Sequence, residues 1–220
     1  RILRRVATLL TALSKTPAQA FYHSNAQITD HQWNSLALGE VKKTLKDYHP
    51  SELSLRRYDE CDGEDHLSKI LYTDIKTFLP GGILVKVDRM SMANGLEVRA
   101  PLLDYKLVEF ACGLPSYFKF HKGDKKYLLK KAFLPVLPGS ILHRKKMGFS
   151  PPLADWFRNE LRAMSEDVLL TAKHGVPDFF DMNFVRSLWR EHQSESHDHG
   201  SVLWSLLMFQ LWWSSYMESP

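Results

Sequence analysis

The 220-residue sequence predicts a mainly α-helical fold. Apolar residues recur at helical spacing over most of the chain. Prolines and glycines separate these stretches, as at Pro80-Gly81-Gly82, and no set of apolar runs indicates a parallel sheet. Hydrophobic residues make up 44% of the chain, an ordinary globular fraction, so we expect a single helical domain over residues 1–220.

The first half of the chain is expected to form four helices. Thr29 or Asp30 can cap the second helix, and Pro80-Gly81-Gly82 is expected to end the third. Leu96-Glu97-Val98-Arg99 alternates in polarity, but Pro101 follows, which favours a short extended turn over a sheet strand. The four helices are predicted over residues 2–13, 29–47, 66–79 and 83–93.

Five more helices are expected after this turn. Asp104 and Asp124 precede the first two, and their carboxylates can accept hydrogen bonds from the first free backbone N–H groups. A basic loop is expected over residues 138–152. The five helices are predicted over residues 105–112, 125–134, 153–164, 182–192 and 201–216.

An apolar stripe in the last predicted helix is interpreted as core packing. Part of it can form an exposed face, which would favour a homodimer. The stripe consists of Trp204, Leu207, Met208, Leu211 and Trp212.

Charge and cysteine content limit the function classes. A net charge of +4 permits an anionic ligand but does not demand nucleic acid. Cys61 and Cys112 form no CxxC pair, which favours a reduced, cytoplasmic setting. The best candidate for a membrane segment, residues 202–213, is shorter than the roughly 20 residues that span a bilayer and is interrupted by Ser205 and Gln210, so no membrane partner is predicted.

Two stretches combine charge with features of a binding site. Arg144-Lys145-Lys146-Met147-Gly148-Phe149 places cations beside a glycine, an arrangement that suits a phosphate or pyrophosphate. Chemistry alone favours a solvated basic loop there. Residues 86–104 crowd acids and bases among apolar positions, so these charges are expected to pair. We interpret Glu97, Arg99 and Asp104 as structural ion pairs; for Asp88 and Arg89 a ligand role is equally open.

Three histidines near the C-terminus form the spacing H-x4-H-x-H. His192, His197 and His199 lie in a polar context with Ser194 and Glu195. A metal site is one interpretation of this spacing. Solvated histidines are the more common explanation for such a context, so no metal is predicted.

The charged stretches resemble, in order, motifs of the asparagine synthetase family. Residues 86–104 resemble its KVDR-SMA-LE-R-P-LD signature, and residues 123–130 resemble its lysine-containing helix. Residues 144–152 resemble its R-x-K-x-G-F-x-x-P loop, and His192 with Leu203-Trp204 resembles its tail. The resemblance extends over residues 71–216.

The resemblance implies an ATP-dependent amidotransferase and ligase of asparagine biosynthesis. The family joins a glutaminase domain to an α/β synthetase domain of the pyrophosphatase-loop, adenine nucleotide α-hydrolase-like type, of which this chain would be the helical C-terminal part. Mg-ATP adenylates the side-chain carboxylate of aspartate, and ammonia from glutamine attacks the adenylate. Lys146 would be the catalytic loop lysine that stabilises phosphate charge. Substrate or phosphate contacts would come from Asp88, Arg89, Lys126 and Arg144.

Two departures from the family pattern shape the expected activity. No SGGxDS-like loop, GEGADE-like segment or N-terminal catalytic cysteine is present, so we expect a C-terminal fragment without the glutaminase domain and ATP-binding loop. Such a fragment should be inactive alone and bind ATP and Mg only weakly. Pro80-Gly81-Gly82-Ile83 also stands where the family often carries an acidic residue, which implies altered activity.

Two alternatives stay open from the sequence. A relative with the same signature can adenylate another carboxylate, in β-lactam, lasso-peptide or surface-precursor synthesis. A helical nucleic-acid-binding module would use the basic clusters and lose affinity steeply with salt, although no recognised motif supports nucleic acid as a partner.

Overall fold

Helices form almost all the regular structure of this chain. A computed structural model describes residues 10, 13–145, 147–148 and 151–218. Among these residues the mainly α prediction is confirmed, since the sheet pairing consists of one antiparallel hairpin and one isolated bridge. The elements are α1 Pro17–Asn25, α2 Asp30–Leu36, α3 Gly39–Thr44, α4 Ser51–Asp59, α5 His66–Lys76, a π-helix Leu79–Leu84, α6 Val85–Met92, a 3-10 turn Pro101–Leu103, α7 Tyr105–Gly113, α8 Ser116–Lys119, β1 Phe120–His121, β2 Asp124–Lys125, α9 Tyr127–Phe133, α10 Gly139–Leu142, α11 Leu153–Arg158, α12 Arg162–Leu170, α13 Val176–Phe179, α14 Met182–Gln193 and α15 Gly200–Tyr216.

Contacts within the chain group its residues into two compact units. Unit 1 contains Arg1–Tyr22 and Pro50–Met147, and unit 2 contains His23–His49 and Gly148–Pro220. The predicted single domain over residues 1–220 stays a prediction. The helix predicted over residues 2–13 lies almost wholly outside the described residues.

The cap predicted near Thr29 is confirmed, but the helix it starts is shorter than predicted. The Gln32 backbone N–H donates to Thr29 Oγ1 at 3.2 Å, and the Thr29 N–H donates to Gln32 Oε1 at 3.0 Å, a reciprocal capping box. The predicted helix over 29–47 is split into α2 and α3. Ala37 pairs with Phe180, and the Leu38 N–H donates to the Phe179 carbonyl, so a tertiary contact replaces helical hydrogen bonds there.

Pro80-Gly81-Gly82 does not stop the helical path, contrary to the prediction. α5 ends at Lys76, and a π-helix over Leu79–Leu84 then leads directly into α6. Pro80 lies in the first turn of the π-helix, where its missing N–H is tolerated, and its carbonyl accepts from the Val85 N–H. Proline therefore starts a wider helical turn here. π-Helical segments are rare and often occur at functional sites.

The chain after α7 differs from prediction at two places. Asp124 does not cap the helix predicted over 125–134; it lies in β2, and its carboxylate pairs with Lys130 on α9. Because β1 and β2 form a hairpin, α9 begins only at Tyr127. The predicted basic loop over 138–152 also contains a short helix, α10. Residues 96–99 lie in no helix and no strand, which confirms the prediction that they form no sheet strand.

Unit 2 has a continuous apolar core. In α14, Val185, Leu188, Trp189 and His192 are buried at helical spacing. Phe157 of α11 is fully buried, and its ring meets those of Trp189 and His192 edge to face. The core comprises Leu36, Phe157, Leu169, Val176, Val185, Leu188, Trp189, Val202, Leu203, Leu206 and Leu207.

Helix α15 buries a different face from the one predicted. Of the predicted stripe only Leu207 is fully buried, while Met208, Leu211 and Trp212 are exposed. The buried face runs through Val202, Leu203, Leu206 and Leu207 to Gln210. The helix predicted over 153–164 is likewise divided at Asn159 into α11 and α12. The predictions for α14 and α15 themselves are confirmed within one residue at each end.

Unit 1 buries far less. Its buried described residues are Tyr58, Cys61 and Thr73, of which only Thr73 is fully buried. Large apolar residues of α6 and α7 are exposed, including Met90 at 61% and Phe110 at 60%. None of the described helices combines the length and apolar character needed to cross a bilayer.

Candidate functional site

The turn after α6 brings its charged side chains together with the following segment. The Gly95 N–H donates to the Met92 carbonyl and the Leu96 N–H to the Ser91 carbonyl, both at about 3 Å, with Gly95 at φ +66°. This pair of bonds is a Schellman motif, which ends a helix and reverses the chain through a left-handed residue that favours glycine. The reversal carries residues 96–99 back alongside α6.

A cleft in unit 1 lies within this reversal. It has a volume of about 460 Å³ and is lined by Asp88 of α6 and by Glu97 and Arg99 of the extended turn, with Met92, Gly95 and Val98 between them. Its size is within the range of small-molecule pockets. Three of the predicted site residues therefore share one surface.

The charged residues that line the cleft differ in whether they have an ion-pair partner among the described residues. Arg99 Nη2 donates to Glu97 Oε1, and both side chains are exposed. Asp88 forms no ion pair with any described residue; its backbone carbonyl accepts from Ser91 Oγ at 3.1 Å. The cleft thus combines a neutralised pair with a carboxylate that is open to a cationic ligand.

Arg89 lies beside Asp88 in sequence but does not line the cleft. Successive residues of an α-helix point about 100° apart, so Asp88 and Arg89 present their charges to different directions. Arg89 is exposed and has no ion-pair partner among the described residues. It remains a candidate for a ligand that reaches the side of α6 away from the cleft.

Asp104 has a different role from the predicted ion pair. Its Oδ1 accepts from the backbone N–H groups of Lys106 at 3.0 Å and Leu107 at 3.3 Å. This confirms Asp104 as the N-cap of α7. Within the described chain its carboxylate is bonded to the backbone and is absent from the Glu97–Arg99 pair.

The predicted phosphate contacts outside the cleft are exposed cations. Lys126 has φ +58°, the left-handed region that few residues other than glycine occupy, and it is the N-cap residue that precedes α9. Arg144 is exposed after α10, with no ion-pair partner among the described residues. Lys146, the predicted catalytic residue, lies outside the described residues, as does Phe149.

The segment that replaces the expected acidic residue leaves space for a side chain at one position. A Cβ on Gly81 would meet no atom within 4 Å, whereas one on Gly82 would lie 3.0 Å from the Phe78 ring. Both glycines belong to the π-helix that leads into α6. An acidic side chain would therefore fit at Gly81 with less disturbance than at Gly82.

The sequence did not predict a polar contact in unit 1 that joins the N-termini of two helices, α5 and α8. Asp65 caps α5, accepting from the Ser68 N–H at 3.1 Å and the Ser68 hydroxyl at 2.6 Å. The Ser116 hydroxyl, at the start of α8, also donates to Asp65 at 2.6 Å. The hydrogen bonds from Ser116 and Ser68 lower the pKa of Asp65 from 3.8 to about 2.

The C-terminal histidines in unit 2 have distinct environments. His192 is buried; its ring contacts the Ala154 carbonyl through Nε2 at 3.1 Å and accepts the His199 N–H at Nδ1, so it is a structural residue. Glu191 Oε2 lies 2.8 Å from His199 Nε2 and 3.7 Å from His197 Nδ1. Glu191, His197 and His199 each present a donor atom within 4.8 Å of the others.

Comparison with known proteins relates almost the whole chain to one family. The family model described as asparagine synthase matches residues 2–214. Asparagine synthetase [glutamine-hydrolyzing] 1 of Bacillus subtilis strain 168 is 31% identical over 207 residues, which cover 92% of this chain and 31% of the relative. A putative glutamine-hydrolysing asparagine synthetase of Mycobacterium bovis is 32% identical over 202 residues, covering 90% of this chain and 30% of the relative.

A vertebrate protein shows the same relationship over a shorter stretch. The asparagine synthetase [glutamine-hydrolyzing] of Gallus gallus is 30% identical over 131 residues, or 55% of this chain and 23% of the relative. The chain spans about a third of the length of the curated bacterial relatives it matches. No solved structure gives a significant match.

Proposed function

Since this chain belongs to the asparagine synthase family, we propose that it supplies the helical part of an ATP-dependent amide-forming ligase. The ligase would adenylate the side-chain carboxylate of aspartate and convert it to asparagine with ammonia from glutamine. The observation that carries this proposal is the similarity to the Bacillus subtilis glutamine-hydrolysing synthetase over 92% of the chain.

The proposed role of this chain is to bind phosphate groups and neutralise their negative charge. The adenylation transition state spreads negative charge over the α-phosphate and the leaving pyrophosphate. Lys146 would stabilise that charge directly, while Arg144, Lys126 and Arg89 would contact phosphate or substrate oxygens. The exposure of Arg144 and Lys126 supports this role, because neither cation is committed to an internal ion pair in the described chain.

The proposed reaction also requires a ligand for magnesium, and Asp88 is suited to this role. Mg²⁺ is usually held by one or two carboxylates together with substrate phosphates. Asp88 lines the cleft without an ion pair among the described residues, whereas Glu97 is occupied by Arg99. Asp88 would therefore hold the ion, which when bound neutralises phosphate charge.

The exposed apolar side chains of unit 1 support a larger assembly. We propose that α6 and α7 pack against the ATP-binding part of a longer synthetase, which also carries the glutaminase domain. The relatives are about three times as long as the region they share with this chain, and two of the exposed apolar residues, Met92 and Val98, line the Asp88 cleft. The 220-residue chain alone should then be inactive.

The test is ATP–pyrophosphate exchange dependent on aspartate. A longer protein containing this chain should catalyse exchange, and the 220-residue chain alone should not. Lys146→Ala in the longer protein should reduce exchange by about 100- to 1000-fold, the usual cost of losing one charge-stabilising group. Lys145→Ala is the matched control, since it removes the neighbouring cation, and it should keep most of the activity.

Three results would contradict parts of the proposal. Near-normal exchange by Lys146→Ala would remove Lys146 from the mechanism. Equal losses in Lys145→Ala and Lys146→Ala would indicate a diffuse charge effect. Exchange supported by a different carboxylate would point to a same-family amidotransferase with another substrate, an alternative that Pro80-Gly81-Gly82 in place of the expected acid favours.

A further inference from the structure

We propose that Glu191, His197 and His199 form a binding site for a divalent transition-metal ion, Zn²⁺ in particular. The three residues lie where the end of α14 turns into α15. They belong wholly to unit 2, and the proposal is independent of the proposed ligase function. The sequence shows the two histidines, but only the fold brings Glu191 to them.

The spacing of the donor atoms suits one small ion. Zinc bonds of about 2.0–2.1 Å in a tetrahedron place neighbouring ligand atoms about 3.3 Å apart. Glu191 Oε2 is 2.8 Å from His199 Nε2 and 3.7 Å from His197 Nδ1, distances on either side of that value. All three donor atoms lie within 4.8 Å of one another, so small side-chain rotations would bring them around one ion.

Hydrogen bonds already hold the turn in the required conformation. The hydroxyls of Ser194 and Ser196 donate to the Glu191 carbonyl at 3.1 and 3.0 Å. The His199 N–H donates to the ring of buried His192 at 3.0 Å. Because the backbone of the turn is bonded in this way, binding would cost little ordering entropy.

The identity of the ligands selects the type of ion. Two imidazoles and one carboxylate suit Zn²⁺ and similar transition metals, whereas Mg²⁺ and Ca²⁺ prefer all-oxygen sites. The side chains of His197 and Glu191 are 56% and 46% exposed, so an ion can reach them from solvent, while His199 is 13% exposed and anchored. Solvent would complete the coordination. The bound ion would fasten the end of α14 to the start of α15.

The simpler alternative is an ion pair between Glu191 and His199 with His197 stacked beside it. The His197 and His199 rings lie 5.8 Å apart with a 22° interplanar angle. An ion pair of this kind needs no metal and predicts no stoichiometric binding. Titration with a metal therefore separates the two descriptions.

The experiment is calorimetric titration of the chelator-treated chain with zinc chloride. We expect one equivalent to bind, and His197→Gln or Glu191→Gln should weaken it at least about tenfold, since even changes outside the ligand set commonly cost 10- to 100-fold. Visible absorption of the cobalt-loaded chain should show coordination that the same variants abolish. Far-UV circular dichroism will establish that the exposed His197→Gln variant is folded.

His49→Gln is the matched control. His49 Nε2 lies 3.3 Å from Asp30 Oδ1, an exposed histidine–carboxylate pair in the same unit but far along the chain. This variant should bind zinc like the unmodified chain. Absence of stoichiometric zinc binding, zinc binding by His197→Gln and Glu191→Gln as tight as that of the unmodified chain, or loss of binding in His49→Gln would each overturn the proposal.

Discussion

The two units of this chain differ in how far their apolar residues are buried. Unit 2 encloses Phe157, Leu203 and Leu207 in a continuous core, while unit 1 leaves Met90, Leu96 and Phe110 at least 60% exposed. The described residues predicted for the proposed ligase site, Asp88, Arg89, Lys126 and Arg144, lie in unit 1. The difference teaches that unit 2 has its own apolar core, whereas unit 1 leaves exposed the apolar side chains that the proposed packing against a longer synthetase would cover.

All six tryptophans lie in unit 2, so the unfolding of the two units can be followed by different measurements. They are Trp33, Trp156, Trp189, Trp204, Trp212 and Trp213. Tryptophan fluorescence therefore reports the unfolding of unit 2, and amide hydrogen exchange is needed to follow unit 1.

The largest expected effect contrasts a core phenylalanine with an exposed one. Phe157→Ala should lower the free energy of unfolding of unit 2 by about 3–5 kcal/mol, because it removes a fully buried ring from the core. Phe110→Ala in unit 1 should change stability by no more than about 0.5 kcal/mol. Urea unfolding followed by tryptophan fluorescence and circular dichroism measures both. Comparable losses in the two variants would mean that unit 1 is packed as tightly as unit 2.

A second contrast uses two glycines with positive φ, one in each unit. Gly175→Ala should destabilise unit 2 substantially, since its Cβ would lie 2.7 Å from Gln210 Oε1 and 2.9 Å from Trp213 Cγ at φ +82°. Gly95→Ala meets no atom within 4 Å and should cost only the backbone strain, about 1–2 kcal/mol, within unit 1.

The readouts for the glycine pair follow from their positions. Tryptophan fluorescence should report Gly175→Ala, and faster exchange of the Leu96 amide should report Gly95→Ala, because that amide closes the Schellman motif. Unchanged exchange at Leu96 would show that the turn beside the Asp88 cleft does not require glycine.

The smallest expected effect is the acid dependence of unit 1. Asp65 has a folded-state pKa of about 2 against an ordinary value of 3.8, so its ionised form stabilises the fold fully above the higher value. That contribution should be lost as pH falls through the lower value, and it should not exceed about 1 kcal/mol, the usual worth of a helix cap.

Thermal unfolding followed by circular dichroism over this acidic range tests Asp65. Asp65→Asn cannot titrate there, so its stability should depend less on pH than that of the unmodified chain. Ser116→Ala should produce part of the same change, because the Ser116 hydroxyl is the main cause of the lowered pKa. Identical acid dependence in all three proteins would assign the effect to other groups.

Several features were determined by the sequence alone, because they depend on interactions between residues that are close together in the chain. The helical class, the caps at Thr29 and Asp104, and helices α14 and α15 depend on residues close together in sequence. Family membership also followed from the sequence, because its motifs occur in order along the chain, and the family model confirms it over residues 2–214.

Only the tertiary structure decided which distant groups meet. The break between α2 and α3 depends on Phe179 and Phe180, more than 140 residues later in the sequence, and the buried face of α15 depends on its neighbours. The sharing of one cleft by Asp88, Glu97 and Arg99 depends on the chain reversal at Gly95. The meeting of Glu191 with His197 and His199 likewise depends on the turn into α15. Residue spacing fixes local helical hydrogen bonds, whereas chain reversals and packing between helices fix which side chains act together.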